Sequence, residues 1–144
     1  MIGITITPSH IDYSKIIDEK TVDKIIKGEC VILSGFAKEL VPVDTGQLKS
    51  SIMWATANEK GGLNEGGGEP TSAFNYIDPP NEKETGYVGS HLEYAGPVEY
   101  GRADMPQYPR QPYLRPAIDY SKRARELRRG TILRASIKAA YKNG

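Results

Sequence analysis

The segment Val41–Ile52, VPVDTGQLKSSI, contains a tripeptide that is associated with a known catalytic group. Asp44-Thr45-Gly46 matches the motif that carries the catalytic carboxylate of pepsin-like and retroviral aspartic proteases. In those enzymes two carboxylates share one proton, so the chemistry needs two copies of the motif or a symmetric dimer. This chain has one copy, which follows an amphipathic helix and Pro42 rather than a hydrophobic strand. A dimeric aspartic protease that uses Asp44 is therefore an alternative, and a structural role is favoured.

A turn that joins a helix to a strand accounts for more residues of the same segment. Asp44 or Thr45 would accept hydrogen bonds from the free amides of a short helical turn, with Gln47 at the capping-box position relative to Asp44. Gly46 would permit a tight backbone, and Leu48 would be buried before the next strand. This interpretation gives the segment a structural role and no function by itself.

Other residue types that perform catalysis or bind metals are sparse. Cys30 is the one cysteine, and His10 and His91 are the two histidines, so the chain lacks the Cys/His cluster of a zinc site. Glu93 and Glu99 are close in sequence, but no neighbouring residue marks them as an acid–base pair. We interpret them as capping or interface groups, and we expect no catalytic residue, metal or cofactor.

Hydrophobic patterning predicts an α+β fold, with a long N-terminal amphipathic helix and a C-terminal helix packed on a small antiparallel β-sheet. Alternating or β-branched segments predict short strands at IGITIT, SIMWATAN, AFNYI and YVGSHL. EYAGPVEYG predicts a short helical turn that stops at Gly101. The 144 residues are expected to form one domain.

Apolar residues at a period of 3.6 predict the first long helix over Thr21–Leu40. Pro42 ends it, since the residue before a proline disfavours helix. Cys30 falls on the apolar face and is interpreted as a small core residue, whereas Ser34 and Lys38 fall on the polar face. Glu29 lies near the middle of the apolar arc, so its carboxylate needs a partner or an interface.

The C-terminal helix is predicted at about residues 114–142, and Pro116 fits its first turn. Its apolar face rotates after Gly130, which indicates a break there or a second half with a different packing partner. Between the strands, the Gly- and Glu-rich segment at about residues 58–72 has little to bury and is predicted to be mobile. The apolar face of the first half of the C-terminal helix is predicted to contain Leu114, Ala117, Tyr120, Ala124 and Leu127.

Charge is distributed unevenly along the chain. Residues 110–144 contain ten basic and two acidic residues, a net charge of +8, whereas residues 1–109 have a net charge of −7. The asymmetry suits head-to-tail association of copies, or a basic helix that faces an acidic partner or nucleic acid. The alternative is that the two parts of the chain neutralise each other's charge within one fold. The basic surface is predicted at Arg128, Arg129, Arg134 and Lys138.

Three blocks of the sequence, taken in order, resemble the small neck or tail-completion proteins of tailed bacteriophages, which are also described as minor tail or head–tail joining proteins. The first block is Val41–Ile52, the second block is Tyr87–Gly101 and the third block is Gln111–Asp119. They match Pro-x-Asp-Thr-Gly-x-Leu-x-x-Ser-Ile, Tyr-Ala-x-x-Val-Glu-x-Gly and Pro-aromatic-Leu-x-Pro-Ala, respectively. The structural or interface candidates among the matching residues are Asp44, Thr45, Gly46, Leu48, Tyr94, Glu99, Gly101, Tyr113, Leu114, Arg115 and Pro116.

The resemblance implies a non-enzymatic virion protein of a phage or prophage, made in the bacterial cytoplasm and located at the head–tail junction. It implies partners among further copies of the chain, which could form a ring, and among head-connector and tail proteins. It implies no membrane and no small-molecule substrate, in line with the absence of a long apolar run or a signal-peptide pattern. Glu99 and the region of Arg115 are expected to belong to one fixed substructure. The alternative function is nucleic-acid binding through the basic C-terminal helix.

Overall fold

The computed structural model describes residues 2–6, 18–43, 46–71, 76–107 and 109–143, with side chains described as far as residue 139. It has the predicted α+β fold, in which two long helices pack against a four-stranded antiparallel sheet. In chain order the elements are β1 (Ile2–Ile6), α1 (Glu19–Leu40), α2 (Gln47–Ser51), β2 (Met53–Thr56), β3 (Lys60–Gly61), β4 (Gly86–Ser90), α3 (Ala95–Tyr100) and α4 (Leu114–Asn143).

The sheet has the strand order β1-β4-β2-β3, and every neighbouring pair is antiparallel. Side chains alternate between its two faces, as the pleat requires. On the face that carries Trp54 and Val88, the sheet packs into the main core with the long helices. The other face carries Met53 and Ala55, which pack against Ile77. The segment between β3 and β4 therefore covers the side of the sheet that the helices leave open.

α1 has a side-chain cap at its start and ends where the sequence predicts. The carboxylate of Asp18 accepts hydrogen bonds from the hydroxyl of Thr21 (2.6 Å) and from its backbone N–H (2.9 Å), and these bonds lower the pKa of Asp18. At the other end, Val41 adopts an extended conformation before Pro42. The prediction that Cys30 is a core residue is confirmed, since it is fully buried and burial raises the pKa of its thiol to about 12.

Ser34 and Lys38 of α1 are buried, so their assignment to a solvated polar face is wrong. The Gly- and Glu-rich segment lies over Lys38. The Nζ of Lys38 donates hydrogen bonds to the backbone carbonyls of Gly62 and Glu65, the second at 3.0 Å. Burial lowers the pKa of Lys38. Through these two hydrogen bonds Lys38 connects α1 to the backbone of the Gly- and Glu-rich segment.

The Gly- and Glu-rich segment makes specific contacts, although its predicted mobility stays a prediction. Lys60 and Gly61 pair with β2 as the edge strand β3. The side-chain oxygen of Asn64 accepts a hydrogen bond from the backbone N–H of Thr71 (2.7 Å), which closes a loop. The strand predicted at AFNYI is not seen at Tyr76 or Ile77, and its other residues lie outside the described part of the chain.

α4 is continuous through Gly130, so the first of the two alternatives predicted there, a break in the helix, is wrong. The predicted apolar face is also wrong in part, because Tyr120 and Leu127 are 68% and 59% exposed. α4 packs on α1 instead through a face that contains Ser121, which is fully buried. Small and long side chains interlock there, with Arg128 over Gly28. No helix in the described ranges is long and apolar enough to cross a membrane.

Replacement of Gly86 by alanine should test the packing of α1 on β4. A β-carbon at Gly86 would overlap the sulfur of Cys30 and lie 2.9 Å from Ile26 Cγ2. We expect Gly86→Ala to reduce the free energy of unfolding by about 1–3 kcal/mol, measured by chemical denaturation. Gly35→Ala is the matched control, because Gly35 is exposed in α1 with no atom nearby. It should stabilise by about 0.5–1 kcal/mol, and an equal effect of both variants would contradict this packing.

Candidate functional site

The buried carboxylate of Glu99 joins α3 to the start of α4. Its Oε2 accepts hydrogen bonds from the backbone N–H groups of Tyr113 (2.6 Å) and Leu114 (2.9 Å), and its Oε1 accepts one from Arg115 (2.9 Å). The first amides of a helix have no intrahelical partner and carry partial positive charge. A carboxylate at this position therefore satisfies three donors and interacts favourably with the helix dipole. Glu99 is only 4% exposed.

Further contacts fix the same joint, which we call the α3–α4 joint (residues 95–101 and 111–115). The hydroxyl of Tyr113 donates to the carbonyl of Ala95 (3.2 Å), and the N–H of Gln111 donates to the carbonyl of Val98 (2.8 Å). Burial raises the pKa of Tyr113. α3 ends at Gly101, as predicted, with φ 81°. The expectation that Glu99 and the region of Arg115 form one substructure is confirmed.

The corner between α1 and α2 differs from the predicted cap. The N-cap position of α2 is held by Gly46, with φ 84°, so Gln47 is the first helical residue. Asp44 and Thr45 lie outside the described residues, so their predicted capping role stays a prediction. Gly46 is required there because a β-carbon would lie 2.5 Å from the Cα of Gly68. The glycine lets the chain turn against the Gly-rich segment.

The first block is attached to the sheet and to the second block by side-chain hydrogen bonds. Leu48 is buried in the main core, as predicted. The hydroxyls of Ser51 and Ser90 are 2.6 Å apart, which connects α2 to the end of β4. The hydroxyl of Tyr94 donates to the side-chain oxygen of Gln47 (3.3 Å). The first and second blocks are thus held side by side.

A groove of about 730 Å³ lies where the three blocks meet. The first block contributes one wall and the second block, which includes α3, contributes another. The loop from Arg102 to Gln111, where the third block begins, closes the third side. Its lining consists of Pro42, Gly46, Gln47, Leu48, Tyr94, Pro97, Val98, Arg102, Met105, Pro109 and Gln111. We call it the three-block groove.

The described lining of the three-block groove is mostly apolar. Arg102 is the one charged residue among the described lining residues, and its guanidinium binds Asp104 at 2.8 Å. The apolar walls include Tyr94, which is 42% exposed. Across the described ranges, no group of three His, Cys, Asp or Glu side chains is arranged to hold a metal ion. The sequence did not identify Met105 or Pro109 as lining residues, because their loop has no periodic pattern.

The remaining predicted residues divide into buried supports and exposed groups. Tyr113 and Leu114 are buried, so they stabilise the joint and do not form its surface. Arg115 is exposed and Pro116 lies in the first turn of α4, as predicted. The predicted basic residues Arg128, Arg134 and Lys138 are exposed, whereas Arg129 is partly buried.

The partner that Glu29 needs is Arg129, whose guanidinium forms a short ion pair with its carboxylate. Arg125, which the sequence did not single out, lies 3.9 Å from the same oxygen. A carboxylate in an apolar face is stable only when it is paired, and α4 supplies both charges. Glu29 therefore sets the alignment of α4 on α1.

Comparison with family models, with curated proteins and with solved structures finds no match.

Replacement of Glu99 by alanine should destabilise the protein strongly. It leaves the amides of Tyr113, Leu114 and Arg115 without their acceptor, so we expect the free energy of unfolding to fall by about 2–4 kcal/mol. Chemical denaturation measures the change. Glu93→Ala is the control, because Glu93 is an exposed carboxylate near the same helix and should change stability by less than about 0.5 kcal/mol. Equal stability of the two variants would refute the capping role.

Proposed function

We propose that this protein is a virion structural protein of a tailed phage or prophage that acts at the head–tail junction, in neck assembly or tail completion. The observation that supports this proposal most is that the first and second blocks line one groove, while Glu99 of the second block holds the third block next to it. These blocks carry the resemblance to neck and tail-completion proteins. They are far apart in the sequence and adjacent in the fold.

The residue types of the blocks have structural roles that involve no catalytic chemistry. Gly46 lets the chain turn, and Leu48 is a core residue. Glu99 caps α4 by accepting hydrogen bonds from backbone N–H groups, the first of which belongs to Tyr113. Residues with these roles fix the shape of a surface. A protein whose task is to dock between neighbouring subunits needs such a fixed shape, because ordering a flexible surface on binding costs free energy.

The three-block groove is the docking surface in this proposal. Its apolar and aromatic walls, with Gln47, Gln111 and the paired Arg102 as polar groups, have the composition of a protein interface core with a polar rim. The partner is a head-connector or tail protein that inserts apolar side chains between α2 and α3. The α3–α4 joint then connects the bound partner to the long helix α4.

Nucleic-acid binding is the second candidate function. It is supported by the exposed basic residues of α4, since Arg128, Arg134 and Lys138 form no ion pair among the described residues. Phosphate binding would make affinity fall steeply with salt. The protease alternative rests on Asp44 alone, and it requires peptide cleavage that pepstatin inhibits and Asp44→Asn abolishes.

Deletion of the gene from its phage or prophage should test the proposed function. We expect electron microscopy of the induced particles to show filled heads and separate or incomplete tails, because the junction protein is missing. Complementation with the wild-type gene should restore joined particles. Joined and infectious particles after deletion would contradict a role at the head–tail junction.

Replacement of Tyr94 by alanine should impair joining without unfolding the protein. Tyr94, the N-cap residue of α3, lines the three-block groove, whereas Tyr100, the last residue of α3, is 70% exposed and does not line it. We expect Tyr94→Ala to reduce the fraction of joined particles in the complementation assay by at least about tenfold, and Tyr100→Ala to leave it unchanged. Thermal unfolding of both variants checks that the fold is retained. An equal yield of joined particles would exclude the groove as the docking surface.

A further inference from the structure

The basic charge of α4 is not neutralised within the protein. α4 contains nine lysines and arginines and two acidic residues. Among the side chains that the structure describes, only Arg125 and Arg129 of α4 lie within ion-pair distance of an acidic group, and both contact Glu29. The fold therefore leaves most of this charge facing solvent, which argues against internal neutralisation.

α4 also has an exposed apolar strip among its basic residues. Tyr120, Ala124, Leu127 and Thr131 follow one another at helical spacing, so they share one side of the helix. Tyr120 and Leu127 are more than half exposed. A large apolar side chain gains nothing from phosphate groups but is typical of the centre of a protein interface. We call this strip, with Arg123 and Arg134 beside it, the α4 strip.

The surface with the opposite charge lies between residues 59 and 84. This segment contains six acidic residues and two lysines. Glu69, Asp78 and Glu82 are exposed and form no ion pair among the described residues. We call its described part the acidic excursion. It carries a net negative charge that the rest of the protein leaves largely unpaired.

The α4 strip and the acidic excursion belong to opposite flanks of α1. Glu29 contacts α4, whereas Lys27 pairs with Glu59 (2.9 Å) and Lys38 binds the carbonyl of Glu65 (3.0 Å). Glu29 and Lys38 are nine residues apart, which places them about 180° apart around the helix axis. The two charged surfaces therefore cannot meet within one molecule.

We propose that the α4 strip of one copy binds the acidic excursion of a second copy, in a head-to-tail contact. Charge complementarity within a single chain type selects this occupant, and Tyr120 and Leu127 supply the apolar centre of the contact. Two different surfaces meet in it, so each copy keeps one surface for the next neighbour, and the contact builds a closed ring or a filament. The proposal rests on charge and exposure and does not depend on the virion role.

Sedimentation velocity of the purified full chain tests the contact. We expect association that increases with protein concentration at about 50 mM salt and weakens at about 500 mM salt, because salt screens the charged rim. A wild-type protein that stays monomeric at low salt up to its solubility limit would overturn the proposal. Binding of a DNA duplex through α4 without self-association would overturn it in favour of nucleic-acid binding.

Charge-reversed variants identify the two surfaces. Arg123→Glu with Arg134→Glu reverses the α4 strip, and Glu69→Lys with Glu82→Lys reverses the acidic excursion. Each double variant alone should associate at least about tenfold more weakly than wild type. An equimolar mixture of the two should associate again. The intact α4 strip of one variant can bind the intact acidic excursion of the other, and the two reversed surfaces carry opposite charges and attract one another. Failure of the mixture to associate would exclude this pairing.

Two further variants separate this contact from unspecific charge effects. Arg110→Glu with Arg115→Glu makes the same change in net charge as the α4 double variant, at exposed positions before and at the start of α4 that belong to neither surface, and should associate like wild type. Leu127→Ser removes the apolar centre and should weaken association at every salt concentration. Equal association of Leu127→Ser and wild type, or loss of association in the Arg110/Arg115 variant, would contradict the proposed interface.

Discussion

The contact between the carboxylate of Glu99 and the first free amides of α4 is the constraint on which the rest of the structure depends. It sets the position and direction of a thirty-residue helix from a helix of only six residues. Once α4 starts there, its side face reaches α1, where Arg125 and Arg129 pair with Glu29. The hydrogen bond between Tyr94 and Gln47 holds the start of α3 beside the first block, which fixes the width of the groove between α2 and α3.

The proposed function and the proposed self-contact use different parts of this arrangement. The three-block groove lies at the end of the molecule where α4 begins, and it presents apolar walls to a foreign partner. The α4 strip lies further along the same helix and presents charge together with Tyr120 and Leu127. A subunit that joins two larger assemblies needs both kinds of surface, one for its own copies and one for its neighbours. The α3–α4 joint, which Glu99 stabilises, fixes the position of one surface relative to the other.

The sequence predicts the features that depend on a local residue pattern, or on a backbone conformation that one residue type disfavours. α1 follows from apolar periodicity, its end follows from Pro42, and the need of Glu29 for a partner follows from its place in an apolar arc. The predicted apolar face of α4 is wrong at Tyr120 and Leu127, because the buried face continues instead through Ser121 and the stem of Arg128 against Gly28. Lys38 was misassigned because a distant segment with no periodic pattern covers it. Burial of that kind is decided by tertiary structure and has no local signal.

Hydrogen exchange at the amides of Tyr113, Leu114 and Arg115 tests the central claim most directly. The first amides of a helix normally exchange quickly, because they lack intrahelical acceptors. If Glu99 holds them in a buried joint, all three should exchange as slowly as the core amides of α1, at a rate set by global unfolding. Exchange as fast as that of the exposed loop at residues 102–107 would show that α4 is not anchored by Glu99, and the account would be wrong.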